Sequence, residues 1–441
     1  MAVPRMILWG VLAAILAVGF STLGHAQAPA SDEDKRITVN HPNYSDPSKL
    51  ASWRDGRSAP ETQFDQEILK RAAEWYIYRL TWVELQKRVP PDPLVPSVAT
   101  SCQDMLEREF YPLLVLPDPR KSSYQPNENS VKYMTEFIKA LIPPIQKVLK
   151  NPVAIARINA ALVLLKLSES GQEQLAKPLA DILADKDQIA PVKLLAVEAL
   201  GYVFRGDISH DPANREMLDH GVRDLCIQSV LDYLTRDPQF TPETTQEEID
   251  AYHYTRRKAI QAIGESRHPV VMERNRPKAR TAYELFRIAL DDSGVKPAPR
   301  LVERVAAIVA LCQLQPKLEG SYQVDYALYL LGQAFVKIAD QYESERLATV
   351  PAGQVPHPWK YYGALLSQAV QNLAEDPRAR QTGADMLQIS RNVFDKMAAT
   401  EDSGVRKLQA YLKDHPVAPV PLYRNDNDSV LNPSAPKAPG S

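Results

Sequence analysis

From residue 64 to about residue 412, apolar positions recur at intervals of three and four, the period of helices that bury one face. Residues 64–88 carry Phe64, Ile68, Ala72, Trp75, Tyr78, Leu80, Trp82 and Leu85 among Glu, Lys and Arg, which predicts a long first helix. Its aromatic content predicts a cap packing its Trp and Tyr residues on the next helix, with a ligand cage as the alternative. Pro90, Pro91, Pro93 and Pro96 then impose an extended connector. Beyond it, helices are expected over residues 131–150 (interrupted or kinked at Pro143-Pro144), 172–186, 215–236 and 279–291, each followed by a more apolar partner. Asn151-Pro152, Asp211-Pro212 and Asp376-Pro377 have the form of helix starts, in which Asn or Asp caps free amides and Pro takes the first helical position. Thr245-Gln246-Glu247-Glu248 has the spacing of a capping box. No run alternates as a half-buried strand does, so the expected class is all-α.

The second helices superimpose on one another. A basic residue stands three positions before Ala in Arg157-Ile158-Asn159-Ala160, Lys193-Leu194-Leu195-Ala196, Arg256-Arg257-Lys258-Ala259 and Arg304-Val305-Ala306-Ala307. Four and five positions further on stand Leu164-Leu165, Leu200-Gly201, Ile263-Gly264 and Leu311-Cys312, a large apolar residue followed in three of four cases by a small one. Over residues 131–315 the chain therefore resembles the HEAT-repeat family, best in Val192-Lys193-Leu194-Leu195-Ala196-Val197-Glu198-Ala199-Leu200-Gly201 and in residues 303–312. The resemblance implies antiparallel helical hairpins stacked as an α-solenoid, each burying its apolar faces on its neighbours. Anchor spacings of 36, 63 and 48 residues make the array irregular against the family's usual period of about 40–47. The expected architecture is an irregular HEAT-like solenoid with an N-terminal helical cap; a compact α/α bundle is the alternative.

Outside the helices the pattern changes. Arg5, the uncharged apolar run 7–20 and the small-residue stretch ending in Ala26-Gln27-Ala28 have the layout of a secretory signal cleaved after Ala28. The run is shorter than the ~20 residues of a membrane-spanning helix, so no span is expected after cleavage. The expected organisation is a signal peptide at 1–28, an irregular linker or arm at 29–63, the cap with its Pro-rich connector at 64–130, the repeat domain at 131–415 and a disordered Pro-rich tail at 416–441. The destination is periplasmic or extracellular.

Composition removes several alternatives. With 44% apolar residues in 441, the chain can bury a large core, and 52 basic against 54 acidic residues create no global field for nucleic acid. Three cysteines permit at most one internal disulfide, and Cys226 and Cys312 sit in apolar helical contexts. No glycine-rich phosphate loop, haem-attachment motif, zinc-protease motif or serine-hydrolase elbow is present, so no catalytic residue, cofactor or metal is assigned. His210, Asp211, Asp219 and His220 lie near one another, but ten residues and Pro212 separate the two histidines, so they read as solvated turn residues. Asp291-Asp292 and Glu247-Glu248-Ile249-Asp250 read as a turn and a helix start.

The most uneven charge lies between residues 256 and 287, where nine cations face Glu265, Glu273 and Glu284. Arg257, Lys258, Arg267, Arg274, Arg276, Lys278 and Arg280 are the candidate partner-binding residues, and Arg274-Asn275-Arg276-Pro277-Lys278 is loop-like with little core material. The expected function is an exported, non-catalytic helical-repeat scaffold binding a protein or other acidic envelope component. The alternatives are an exported all-α lyase or glycoside hydrolase using paired carboxylates, and a self-associating layer component.

Overall fold

The computed structural model describes residues 36–37, 47–86, 101–116, 127–209, 218–348, 357–424 and 426–431. The signal-like segment, the Pro-rich connector, His210, the Asp211-Pro212 pair and residues 432–441 lie outside the described residues. With 71% helix and 2% strand, the protein is all-α. Two units divide the chain between Cys226 and Ile227.

The N-terminal unit contains α1 (Pro47–Arg54), α2 (Gln63–Tyr78), the short α3 (Val83–Gln86) and α4 (Cys102–Met105), then α5 (Glu128–Val148), α6 (Ala154–Ser168), α7 (Ala176–Ala184) and α8 (Ala190–Ser209). Helices α1 and α2 pack on α5, α5 on α6, and α8 on both α6 and α7. The expected linker thus contains a helix, which forms because Leu50 and Trp53 are buried, Trp53 beside Tyr133. The expected first helix ends at Tyr78, and a 3-10 turn at Arg79–Thr81 redirects the chain into α3. Phe64, assigned to its buried face, is 69% exposed, because the capping box of Thr62 and Asp65 sets the start of α2 and turns Phe64 outward.

Residues Pro143 and Pro144 lie inside α5, which continues through them as one helix. The apolar stripe of Tyr133, Met134, Phe137, Leu141, Ile145 and Val148 is buried on both sides of the prolines, and this burial offsets the ~3 kcal/mol that a helical proline costs. Helix α6 starts at Ala154, later than the Asn-Pro pair predicts, because Asn151 Oδ1 accepts from Val153 N across 2.9 Å and forms a turn there.

Helix α9 (His220–Thr235) spans the division between units. The C-terminal unit continues with α10 (Gln246–Ser266), the strands β1 (Val271–Glu273) and β2 (Arg276–Lys278), α11 (Arg280–Ala289), α12 (Leu301–Gln313), α13 (Val324–Leu347), α14 (Trp359–Leu373), α15 (Pro377–Ala398) and α16 (Val405–Asp414). Two rows of alternating helices result: α10 packs on α12 and α12 on α14, while α11 packs on α13 and α13 on α15. Helix α16 leaves this alternation and lies on α13 and α15.

The predicted capping sites of α10 and α15 form: Thr245 and Glu248 close a capping box, and Asp376 Oδ1 accepts from Arg378 N and Ala379 N. Helix α12 is buried almost all round, from Leu301 through Cys312, as a helix between two others requires. The small residue after the repeat's large apolar one has a physical reason at Gly264, where a Cβ would stand 3.0 Å from Ala310 Cα of α12.

Two expectations are corrected in this unit. The loop-like basic segment forms an antiparallel hairpin, with Val271 opposite Lys278, Met272 opposite Pro277 and Glu273 opposite Arg276. Three residue pairs are too few to produce readable alternation. The described part of the expected tail, residues 416–424 and 426–431, packs on the unit: Leu422 is fully buried and Tyr423 bridges to Tyr322. Its prolines leave room for a single 3-10 turn at Asn427–Ser429, and Leu422 and Leu431 supply apolar anchors that composition averages away.

Candidate functional site

The β1–β2 hairpin is built by the residues that flank it. Arg267 ends α10 in a left-handed conformation (φ 60°), and its carbonyl accepts from Gln315 N across 2.8 Å. The chain then buries Val270 and Val271, which seat the hairpin on the unit. Gln228 of α9 donates from Nε2 to the Met272 carbonyl, covering the outer edge of β1. On β2, Pro277 has no N–H to offer an added strand. A partner would therefore meet side chains here rather than an open sheet edge.

The turn joins Glu273 to Arg276 through two residues, both with positive φ, Arg274 at 49° and Asn275 at 64°. A two-residue hairpin turn of this kind favours Asn-Gly, since other side chains crowd the backbone in the left-handed region. Asn275 tolerates it, but Arg274 is held there at a cost. Arg274, Asn275 and Arg276 are exposed, and Met272 beside them is 43% exposed.

The charge excess read from the sequence is largely neutralised in three dimensions. Arg280 donates from Nη1 to Glu273 across 2.8 Å and from Nη2 to Asp232 of α9 across 2.7 Å. Burial lowers its proton affinity, but these two carboxylates outweigh that and raise its pKa. Lys278 meets Asp428 at 2.6 Å, and the hydrogen bond raises the lysine's pKa and lowers that of the aspartate. Arg256 is taken up by Glu303, and Arg287 by Glu284 and Asp292. Glu303, Asp232, Asp292 and Asp428 all lie outside the stretch in which the charges were counted.

The seven candidate residues consequently separate. Arg257 and Lys258 lie on α10 with their charged groups over the Tyr254 ring, at 4.9 and 5.6 Å. Arg267 is half-buried at the end of that helix. Lys278 and Arg280 are held in ion pairs at the base of the hairpin. Among the described residues, Arg274 and Arg276 have no carboxylate partner, and the hairpin brings these two together at its tip.

A buried charged cluster lies between α10 and α12, and no local spacing in the sequence marks it. Glu303 accepts from His253 Nδ1 at 2.9 Å, from Arg256 Nε at 2.7 Å and Nη2 at 2.9 Å, and from Arg300 N at 2.7 Å. Burial pushes the Glu303 pKa up, but the hydrogen bonds from His253 and Arg256 outweigh it and hold the group ionised below its usual range. Arg256 also donates to the Pro297 carbonyl and, like Glu303, is wholly buried. Such a buried ion pair organises the packing of α10 on α12.

The acidic runs have structural partners too. Glu248 caps α10, Asp250 pairs with Arg300, and Asp292 accepts from Arg287 and Gly294 N. Asp219 Oδ1 accepts from Gly221 N and Val222 N at the start of α9. Among the described residues, no group of three or more His, Cys, Asp or Glu is placed to hold a metal ion, and no helix is long and apolar enough to cross a membrane. The three cysteines are unpaired and buried.

No family model, curated protein or solved structure matches this chain.

Proposed function

We propose that this protein is an exported helical-repeat scaffold that binds the acidic segment of a partner protein through the tip of its β1–β2 hairpin. The observation that carries this reading is the contrast in charge pairing. Arg256, Lys278, Arg280 and Arg287 each meet a carboxylate, whereas Arg274 and Arg276 project from the tip with none among the described residues, Arg274 in a strained conformation. The turn requires positive φ at Arg274, where Asn or Gly would be less strained, so an exposed arginine there fits a role for its guanidinium. Two guanidiniums offer the planar donors that carboxylates accept best, and exposed Met272 beside them favours a partner segment with an apolar residue next to its acids.

The HEAT-like solenoid belongs to the same reading. Its support is the two-row alternation of α10, α12 and α14 with α11, α13 and α15, together with repeat anchors buried on the inner helices, Arg256 in α10 and Arg304 in α12. Export rests on the signal-like residues 1–28.

The test is titration of the chain lacking residues 1–28 with fluorescent poly-L-glutamate at low ionic strength. Saturable binding that weakens with salt and is lost in Arg274→Glu/Arg276→Glu, with an unchanged circular-dichroism spectrum, supports the assignment. Equal binding by the variant would overturn it.

A further inference from the structure

The segment after α16 returns to the base of the hairpin. Pro416, Pro419 and Pro421 keep the connection extended. The chain then pairs with the approach to α13, where Gln323 N donates to the Leu422 carbonyl across 2.8 Å and Arg424 N to the Ser321 carbonyl across 3.1 Å. Tyr326 of α13 donates through its hydroxyl to the Leu431 carbonyl. Leu422 and Leu431 are buried at the two ends, and Ser429 closes a turn between them by donating to the Asp426 carbonyl. Between these anchors lie two carboxylates. Asp426 Oδ2 accepts from Ala279 N across 3.1 Å, at the N-cap of α11, which has no side-chain cap of its own. Asp428 meets Lys278, the last residue of β2 and two positions from Arg276.

An acidic turn closed by Leu422 N on the Ser429 carbonyl, with a buried apolar residue at each end, presents its carboxylates to a cation and a helix N-terminus as an acidic peptide would. We infer that residues 422–424 and 426–431 form an intramolecular pseudo-ligand, which occupies the base of the hairpin and competes with the acidic partner segment for it. The inference rests on the hairpin reading above and adds its regulation. The contacts suit a displaceable occupant: the Asp428 side chain is 81% exposed, and among the described residues the strand pairing of this segment is a single isolated bridge. The proline tether keeps the segment at an effective concentration on the order of millimolar, so a partner must outcompete it. Displacement would free Lys278 and the α11 N-terminus to join Arg274 and Arg276 in one cationic surface.

Three chains test this: the chain without residues 1–28, the same chain ending at His415, and the longer chain carrying Asp426→Asn/Asp428→Asn. Each is titrated with poly-L-glutamate and with a fluorescent peptide of residues 419–432. The expected result is peptide binding to the shortened chain but not to the intact one. Poly-L-glutamate should bind about tenfold more tightly to the shortened chain and to the double variant. Equal poly-L-glutamate affinity for the intact chain and the double variant overturns the pseudo-ligand and leaves the hairpin reading standing. A folded shortened chain that ignores the peptide overturns it equally. Should the shortened chain fail to fold, the double variant decides alone. Poly-L-glutamate binding to none of the three overturns both readings.

Discussion

Arg256 and Glu303, 47 residues apart, face each other with both side chains wholly buried, Nε to Oε1 at 2.7 Å and Nη2 to Oε2 at 2.9 Å. Removing one member strands the other charge in the core of the C-terminal unit. Arg256→Met or Glu303→Gln alone should therefore cost about 3–5 kcal/mol, while Arg256→Met/Glu303→Leu should cost clearly less than the sum of two single losses. Urea midpoints of the variants check this; additive losses would show that the two groups are not coupled.

The same carboxylate makes stability depend on acid. Its folded pKa lies below the ordinary carboxyl value, so at low pH the unfolded chain binds more protons. The stabilisation is fully present above the unfolded pKa and is lost as pH falls through the folded one. Asp250 and Asp292, lowered by their bonds to Arg300 and Arg287, add in the same direction. Urea midpoints should thus fall as pH drops from about 5 to about 2, and Glu303→Gln should flatten the decline; an equal slope in the variant would remove Glu303 as a cause.

At the hairpin tip, stability and binding should part. Arg274→Asn/Asn275→Gly installs the residues that positive φ favours and should raise stability by about 1 kcal/mol. It also deletes one of the two guanidiniums that meet no carboxylate among the described residues, so poly-L-glutamate affinity should fall. Thermal unfolding and titration of this one variant measure both; a variant that is less stable would refute the strained-turn account.

The cysteines should be inert while the chain is folded. Burial pushes the Cys102 and Cys226 thiols up to about 12 and raises that of Cys312, leaving almost no thiolate at neutral pH. A chromogenic disulfide reagent should find no fast-reacting thiol in the native chain and all three cysteines in concentrated guanidinium. A thiol that reacts promptly in the folded protein would contradict their burial.

Gly363 and Gly264 should respond differently to the same change. A Cβ at Gly363 would lie 2.4 Å from Ala398 N and 2.9 Å from the Phe394 carbonyl oxygen, where α14 crosses α15 and only backbone can yield. At Gly264 the closest atom is the end of the Gln313 side chain, which can turn aside, and the nearest backbone atom, Ala310 Cα, stands at 3.0 Å and needs to yield by only a few tenths of an ångström. Gly363→Ala should cost about 1–3 kcal/mol and Gly264→Ala less, in paired denaturation curves. The reverse order would mean that the α14–α15 crossing is looser than these distances imply.

Sequence by itself determined the features whose causes are local. The all-α class follows from a three-to-four residue period, the starts of α10 and α15 from caps acting within three residues, and the encased α12 from an apolar run with no polar face. The ends of α2, the helix in the expected linker and the short hairpin were not legible, because burial partners from elsewhere decide them. For the seven basic candidates, sequence could not tell which would meet a carboxylate. A count of charges along the chain sees Glu265, Glu273 and Glu284, whereas Asp232 and Asp428 arrive from positions 48 and 150 residues away from the cations they meet. Tertiary structure alone therefore sets Arg274 and Arg276 apart from Lys278 and Arg280, since electrostatic pairing depends on distance in space, and among the described residues folding brings carboxylates to the latter two and none to the former.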